Sequence, residues 1–169
     1  MTDHVALLRG VNVGGKHPLP MKDLAALFAG AGCADVRTYI QSGNVLFTAE
    51  PALAAELPER MAAAILERFG IPAPVILRTR DELLDVVRHN PWPGDEAILQ
   101  VLFLAGAPRP LDSGSNGEDS FALRGREVYL RLPNGAARTK LTNAWFDSRL
   151  GTTSTGRNWR TVTKLLELF

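Results

Sequence analysis

Apolar positions along the chain follow first a strand rhythm, then a helical one, and the alternation predicts the elements. His4 to Gly10 reads His-Val-Ala-Leu-Leu-Arg-Gly, and its four successive apolar residues predict a strand covered on both faces. Met21, Leu24, Leu27 and Phe28 then recur at helical spacing behind Pro20, until Gly30 and Gly32 stop the helix. Asp35–Gln41 and Asn44–Thr48, rich in Val, Thr, Tyr, Ile and Phe, predict two strands joined through Ser42-Gly43 as a hairpin. Pro51 opens a second helix whose i, i+4 stripe of Leu53, Leu57, Met61, Ile65 and Phe69 ends at Gly70 and Pro72. Pro74 to Arg80 supplies a fourth strand.

The order strand, helix, strand, strand, helix, strand is the split βαβ arrangement of ferredoxin-like domains. In that topology the first strand lies beside the third and all neighbours are antiparallel. The end of strand one, the turn between strands two and three and the start of strand four then share one edge. Arg9–Lys16 and Gln41–Asn44 are therefore expected to converge in space.

The second half shows weaker periodicity. Asp81 to Arg88 reads as a short helix, Asn90 to Gly94 as a turn cluster, and Ile98 to Ala105 as a buried strand. Gly106 to Asp119 has loop composition, a lid or a connector. Ser120–Arg124 and Glu127–Leu132 predict a hairpin around Gly125-Arg126. Ala137 to Leu150 reads as helix, Thr152 to Gly156 as a loop or an anion-binding turn. Asn158 can cap a last helix with Trp159, Val162, Leu165, Leu166 and Phe169 on its apolar face. The expected fold is α+β: a ferredoxin-like βαββαβ half, residues 1–80, packed as one unit with a C-terminal α+β half, residues 81–169.

Composition narrows the function classes. With 46% apolar and 22% charged residues and a net charge of +1, the 169-residue chain is not a polyanion binder by bulk charge. The charge is unevenly spread, however. Residues 1–119 hold 10 Lys+Arg against 15 Asp+Glu, a balance of −5, and residues 120–169 hold 9 against 3, a balance of +6. The one cysteine, Cys33, excludes an internal disulfide, and no stretch approaches transmembrane length, so a cytoplasmic protein without a membrane partner is expected. His4, His17 and His89 show no ligand spacing, so neither a metal nor another cofactor is expected. There is also no G-x-S-x-G nucleophile elbow, and whether the chain is an enzyme stays open.

The candidate chemistry lies after strand one. Gly10-Val-Asn-Val-Gly-Gly15-Lys16 matches the G-x-x-x-x-G-K spacing of a phosphate-cradling loop, but His17 stands where a Ser or Thr should hold magnesium. Pro18 and Pro20 also delay the helix that should face the phosphates. Nucleotide hydrolysis is therefore disfavoured, whereas binding of a small anion is retained. Arg9 and Lys16 are assigned to neutralise a phosphate or carboxylate, the backbone of Gly14 and Gly15 to cradle it, and Asn12, Ser42 and Asn44 to orient it, with Gln41 a further hydrogen-bonding side chain on the same edge. The alternative is a nucleic acid or acidic partner bound through Arg138, Lys140, Arg160 and their basic neighbours. Recognition of RNA by stacking on the sheet lacks its aromatics, since strand one carries Val5, Ala6, Leu7 and Leu8, and strand three only Phe47.

Three segments, Leu8–Lys16 (LRGVNVGGK), Tyr39–Val45 (YIQSGNV) and Arg157–Leu168 (RNWRTVTKLLEL), closely resemble the DUF1697 family of bacterial proteins of unknown function. The resemblance implies an α+β fold of this size and carries no established reaction. It adds Arg157, Asn158 and Trp159 to the motif positions, with Arg157 and Asn158 joining the candidate ligand-binding set.

Overall fold

The computed structural model describes residues 1–169, which form two compact units: Met1–Glu82 with Leu168–Phe169, and Leu83–Glu167. The fold is α+β with two antiparallel sheets.

In the first unit the elements run β1 (Thr2–Leu8), α1 (Met21–Gly30), β2 (Ala34–Tyr39), β3 (Asn44–Ala49), α2 (Pro51–Phe69) and β4 (Val75–Thr79). The sheet order is β2-β3-β1-β4, with β1 antiparallel to both β3 and β4. Val5, Ala6, Leu7 and Leu8 are all buried, as an unbroken apolar strand requires. Ala6 and Leu8 share one face with Val45, Phe47 and Val75, and that face packs on Leu24 and Phe28 of α1 and on Leu57, Met61 and Ile65 of α2. Pro51 occupies the first turn of α2, and Gly70, left-handed at φ 68°, closes it by donating its N–H to Leu66 O. Cys33 is buried, and that burial raises its thiol pKa against the pull of Arg60, so it is a packing residue.

The second unit contains most of α3 (Arg80–Arg88), then β5 (Leu99–Leu104), β6 (Gly114–Asn116), β7 (Asp119–Arg124), β8 (Glu127–Arg131), α4 (Asn143–Leu150), β9 (Ser154–Asn158) and α5 (Trp159–Glu167). Its sheet order is β6-β7-β8-β5-β9. Leu102, Leu104, Val128 and Leu130 of the sheet pack with Phe146 and Leu150 of α4.

Three segments of this unit differ from their sequence reading. The loop at 106–119 contains β6, which pairs with β7 from Gly114 to Asn116. The helix expected from Ala137 to Leu150 is instead a 3-10 turn at Ala136–Arg138 and a separate α4. Two threonines divide it: Thr139 Oγ1 accepts from Leu141 N, and Thr142 Oγ1 accepts from Trp145 N as the cap of α4. The loop read at 152–156 runs into β9, whose Ser154–Asn158 pairs residue by residue with Leu104–Gln100 of β5.

Candidate functional site

The edge at the end of β1 is built by hydrogen bonds on both sides of that strand. Leu8 N–H donates to Gly43 O at 2.9 Å, and Arg9 N–H donates to Pro74 O at 3.1 Å, so the strand end is gripped between the β2–β3 turn and the approach to β4. Gly43 has φ +89°, and a Cβ there would lie 2.8 Å from Val11 Cγ2 and 2.9 Å from Leu8 Cβ. Glycine is needed at 43 for conformation and for space alike.

Beyond Val11 the chain turns back on itself. Asn12 N–H donates to His17 O at 3.0 Å, Lys16 N–H donates to Val13 O at 2.8 Å, and Gly14 and Gly15 have φ +55° and +74°. Two consecutive left-handed residues between paired ends make a two-residue hairpin of the I′ kind. The glycines thus serve a projecting turn rather than a phosphate loop leading into a helix. A Cβ at either would meet nothing within 4 Å, and Val13, Lys16 and His17 are exposed.

Asn12 ties this hairpin to its surroundings. It adopts φ +54°, a conformation asparagine tolerates better than most residues. Its Nδ2 donates to Leu19 O at 3.0 Å and to Gln41 O at 2.7 Å, while its Oδ1 accepts from Leu19 N at 2.7 Å. Asn44 is fully buried and donates from Nδ2 to Tyr39 O at 2.9 Å and to Ser42 Oγ at 3.0 Å. Segments 9–16 and 41–44 therefore meet, joined directly through Asn12 and Gln41. The side chains of Asn12 and Asn44 hold the edge together. Arg9, at half-exposure, and exposed Lys16 are the cations this edge presents. His17, which mismatches a phosphate loop and shows no metal-ligand spacing in the sequence, stands exposed beside Lys16 with φ +51°.

Arg157 and Asn158 stand in the second unit, at the end of β9. Asn158 Oδ1 accepts from Thr161 N at 2.8 Å and so caps α5. Arg157 is buried, donates from Nη1 to Thr155 Oγ1 at 2.9 Å and Gly156 O at 2.8 Å, and has its pKa lowered to about 10 by that burial. It stays charged at neutral pH. Trp159 is buried in α5, a core residue. Of the other basic side chains, Arg138, Lys140, Arg149, Arg160 and Lys164 are exposed; Lys164 pairs with Glu167 at 3.6 Å.

Comparison with known proteins bears out the family resemblance. Residues 1–129 match the family described as "Protein of unknown function (DUF1697)". The chain belongs to the DUF1697 family. Among solved structures, that of the conserved bacterial protein SP0830 from Streptococcus pneumoniae is similar to this DUF1697 chain. The TM-score is 0.73 at 21% identity, over 98% of this chain and 97% of that one, a likeness that speaks for a shared fold. No curated protein matches the chain. No group of three or more His, Cys, Asp or Glu side chains is placed to hold a metal ion, and no helix is long and apolar enough to cross a membrane.

Proposed function

We propose that the chain binds a small phosphate- or carboxylate-bearing molecule at the edge formed by residues 9–16 and 41–44. The observation that carries the reading is the Asn12–Gln41 hydrogen bond of 2.7 Å, which fixes the glycine hairpin against the β2–β3 turn. Binding would use Arg9 and Lys16 for charge and the open backbone of Gly14 and Gly15 for close approach. Asn12 and Asn44 contribute by holding the frame, since their amide hydrogens are already donated within the chain. Gln41 and Ser42, both exposed, are the polar side chains at the rim.

The test is thermal denaturation with inorganic phosphate, pyrophosphate, adenine nucleotides, short carboxylates and single-stranded oligonucleotides, at low and moderate salt. A small anion at about 100 times its dissociation constant stabilises by about 2.7 kcal/mol, a rise of roughly 5–10 °C for a chain of this size. Lys16→Ala should abolish that rise and leave the ligand-free melting temperature unchanged. No rise with any small anion, together with a salt-sensitive rise with oligonucleotides alone, would replace this reading with binding through the basic exposed side chains of residues 120–169.

A further inference from the structure

A second site, independent of the glycine edge, is suggested by His4. This residue lies on β1 directly opposite Phe47 of β3 and Thr79 of β4, with its ring stacked on Phe47 at 5.4 Å between centroids and 9° between planes. The residue is only 6% exposed. Its Nδ1 lies 2.8 Å from Thr2 O, and because a carbonyl only accepts, Nδ1 carries the hydrogen. In the neutral ring that assignment makes Nε2 an acceptor. Every fully buried side-chain nitrogen or oxygen has a partner, so Nε2, which bonds to nothing within the chain, faces accessible space.

His4 is one of the residues lining a cavity of about 360 Å³, whose walls also include Thr2, Pro51, Ala54, Leu77 and Thr79. It lies in the lower part of the size range of small-molecule sites, and its lining is mainly apolar, as theirs is. Two charged residues, Arg78 and Glu82, also border it. Arg78 Nη1 donates to Leu77 O at 2.8 Å and Glu82 Oε2 accepts from Thr79 N at 2.8 Å, so both are tied to backbone and their charges balance. An apolar body, no net charge and one hydrogen to donate are the properties that complement these walls.

We infer that this cavity takes a neutral, apolar-bodied small molecule whose single hydroxyl or N–H donates to His4 Nε2. Phenol and anisole separate this idea from mere apolar filling, because they share a ring and differ in the donor. In the full-length protein with labelled histidine nitrogens at pH 8, phenol should move the Nε2 resonance of His4 saturably. Anisole should bind roughly tenfold more weakly, the loss of one useful hydrogen bond. His4→Phe, which keeps a ring against Phe47, should bring the two probes within about twofold of each other, the donor preference being gone. Ala55→Phe, an exposed α2 position bordering the cavity, should weaken both probes without touching His4. This second variant carries the test if His4→Phe does not fold. The inference is overturned if His4 does not respond in the wild type, if phenol and anisole bind equally there, or if Ala55→Phe leaves phenol binding unchanged.

Discussion

Two sets of polar side chains, one in each unit, hold different kinds of junction. In the first, Asn12 sits where loops meet and Asn44 at the first residue of β3, and their amides donate to the backbone carbonyls of Leu19, Gln41 and Tyr39. In the second, polar side chains link regular elements. Tyr129 of β8 donates to Val86 O of α3 at 2.7 Å, and Ser154 of β9 donates to Asp147 Oδ1 of α4 at 2.6 Å while accepting from Asn143 Nδ2 at 3.0 Å. A loop junction has no ladder to define it, so a few amides and one cramped glycine must do so. Helix and sheet in the second unit are already placed by apolar packing, and each polar link adds a modest increment. Single substitutions should therefore cost more at the loop junction than at the links.

The largest effect is expected at Gly43. Alanine there would meet Val11 and Leu8 at under 3 Å and would hold an unfavourable positive φ. The two penalties together should cost roughly 3 kcal/mol, a fall of about 6–12 °C in melting temperature. Gly15→Ala is the control: φ is +74° but the space is open, so about 1–2 kcal/mol is expected. Equal losses at the two positions in urea denaturation would mean that conformation alone matters and that the close approach of the β2–β3 turn does not.

Asn12→Ala comes next. It leaves Leu19 N–H, Leu19 O and Gln41 O without their amide partner, at a cost of roughly 2 kcal/mol because water reaches part of the site. Asn12→Asp keeps the acceptor for Leu19 N–H but sets a carboxylate against two carbonyls, and should do no better than alanine. If Asn12→Ala is as stable as the wild type while Lys16→Ala still abolishes anion binding, the hairpin does not depend on its brace and the contrast between units fails.

How far this arrangement could be read in advance depended on where the chemistry lay. β1 and the helix α2 were plain because their apolar positions keep a period, and the convergence of 9–16 with 41–44 followed from strand order. β9 was not, because Ser154-Thr-Gly-Arg-Asn158 contains no aliphatic residue and its pairing is imposed by β5. The break before α4 depends on which hydroxyl caps which N–H, and a run of helix-tolerant residues hides that choice. Asn12 looked like a ligand contact because a side chain's partner in a loop is set by left-handed turns at Gly10, Gly14 and Gly15 that spacing does not reveal. As a lone histidine, His4 has no ligand spacing to mark it in the sequence. Its place in the alternation His4, Ala6, Leu8, on the core face of β1, was the available signal.

The smallest effect belongs to the second unit and has a pH signature. Tyr129→Phe removes one neutral hydrogen bond to Val86 O and should cost about 1 kcal/mol near pH 7. Burial pushes the Tyr129 phenol well above its usual range, with Glu127 and Asp85 adding to the rise and Arg124 opposing it. A raised pKa in the folded state contributes stability that is complete below the unfolded value, about 10, and is lost as pH climbs from there toward the folded value. At pH 10.5 the unfolded tyrosine is mostly ionised and the folded one is not, which takes roughly 1 kcal/mol from the wild type and nothing from the phenylalanine variant. The two proteins should then have nearly the same urea midpoint at pH 10.5, although the wild type leads at pH 7.5. Comparing variant with wild type at each pH cancels every other titrating group, Arg157 included. A gap that stays constant between the two pH values would show that the Tyr129 phenol ionises in the folded protein as readily as in the unfolded chain. Its bond to α3 would then be too loose to count as the kind of link that distinguishes the second unit from the first.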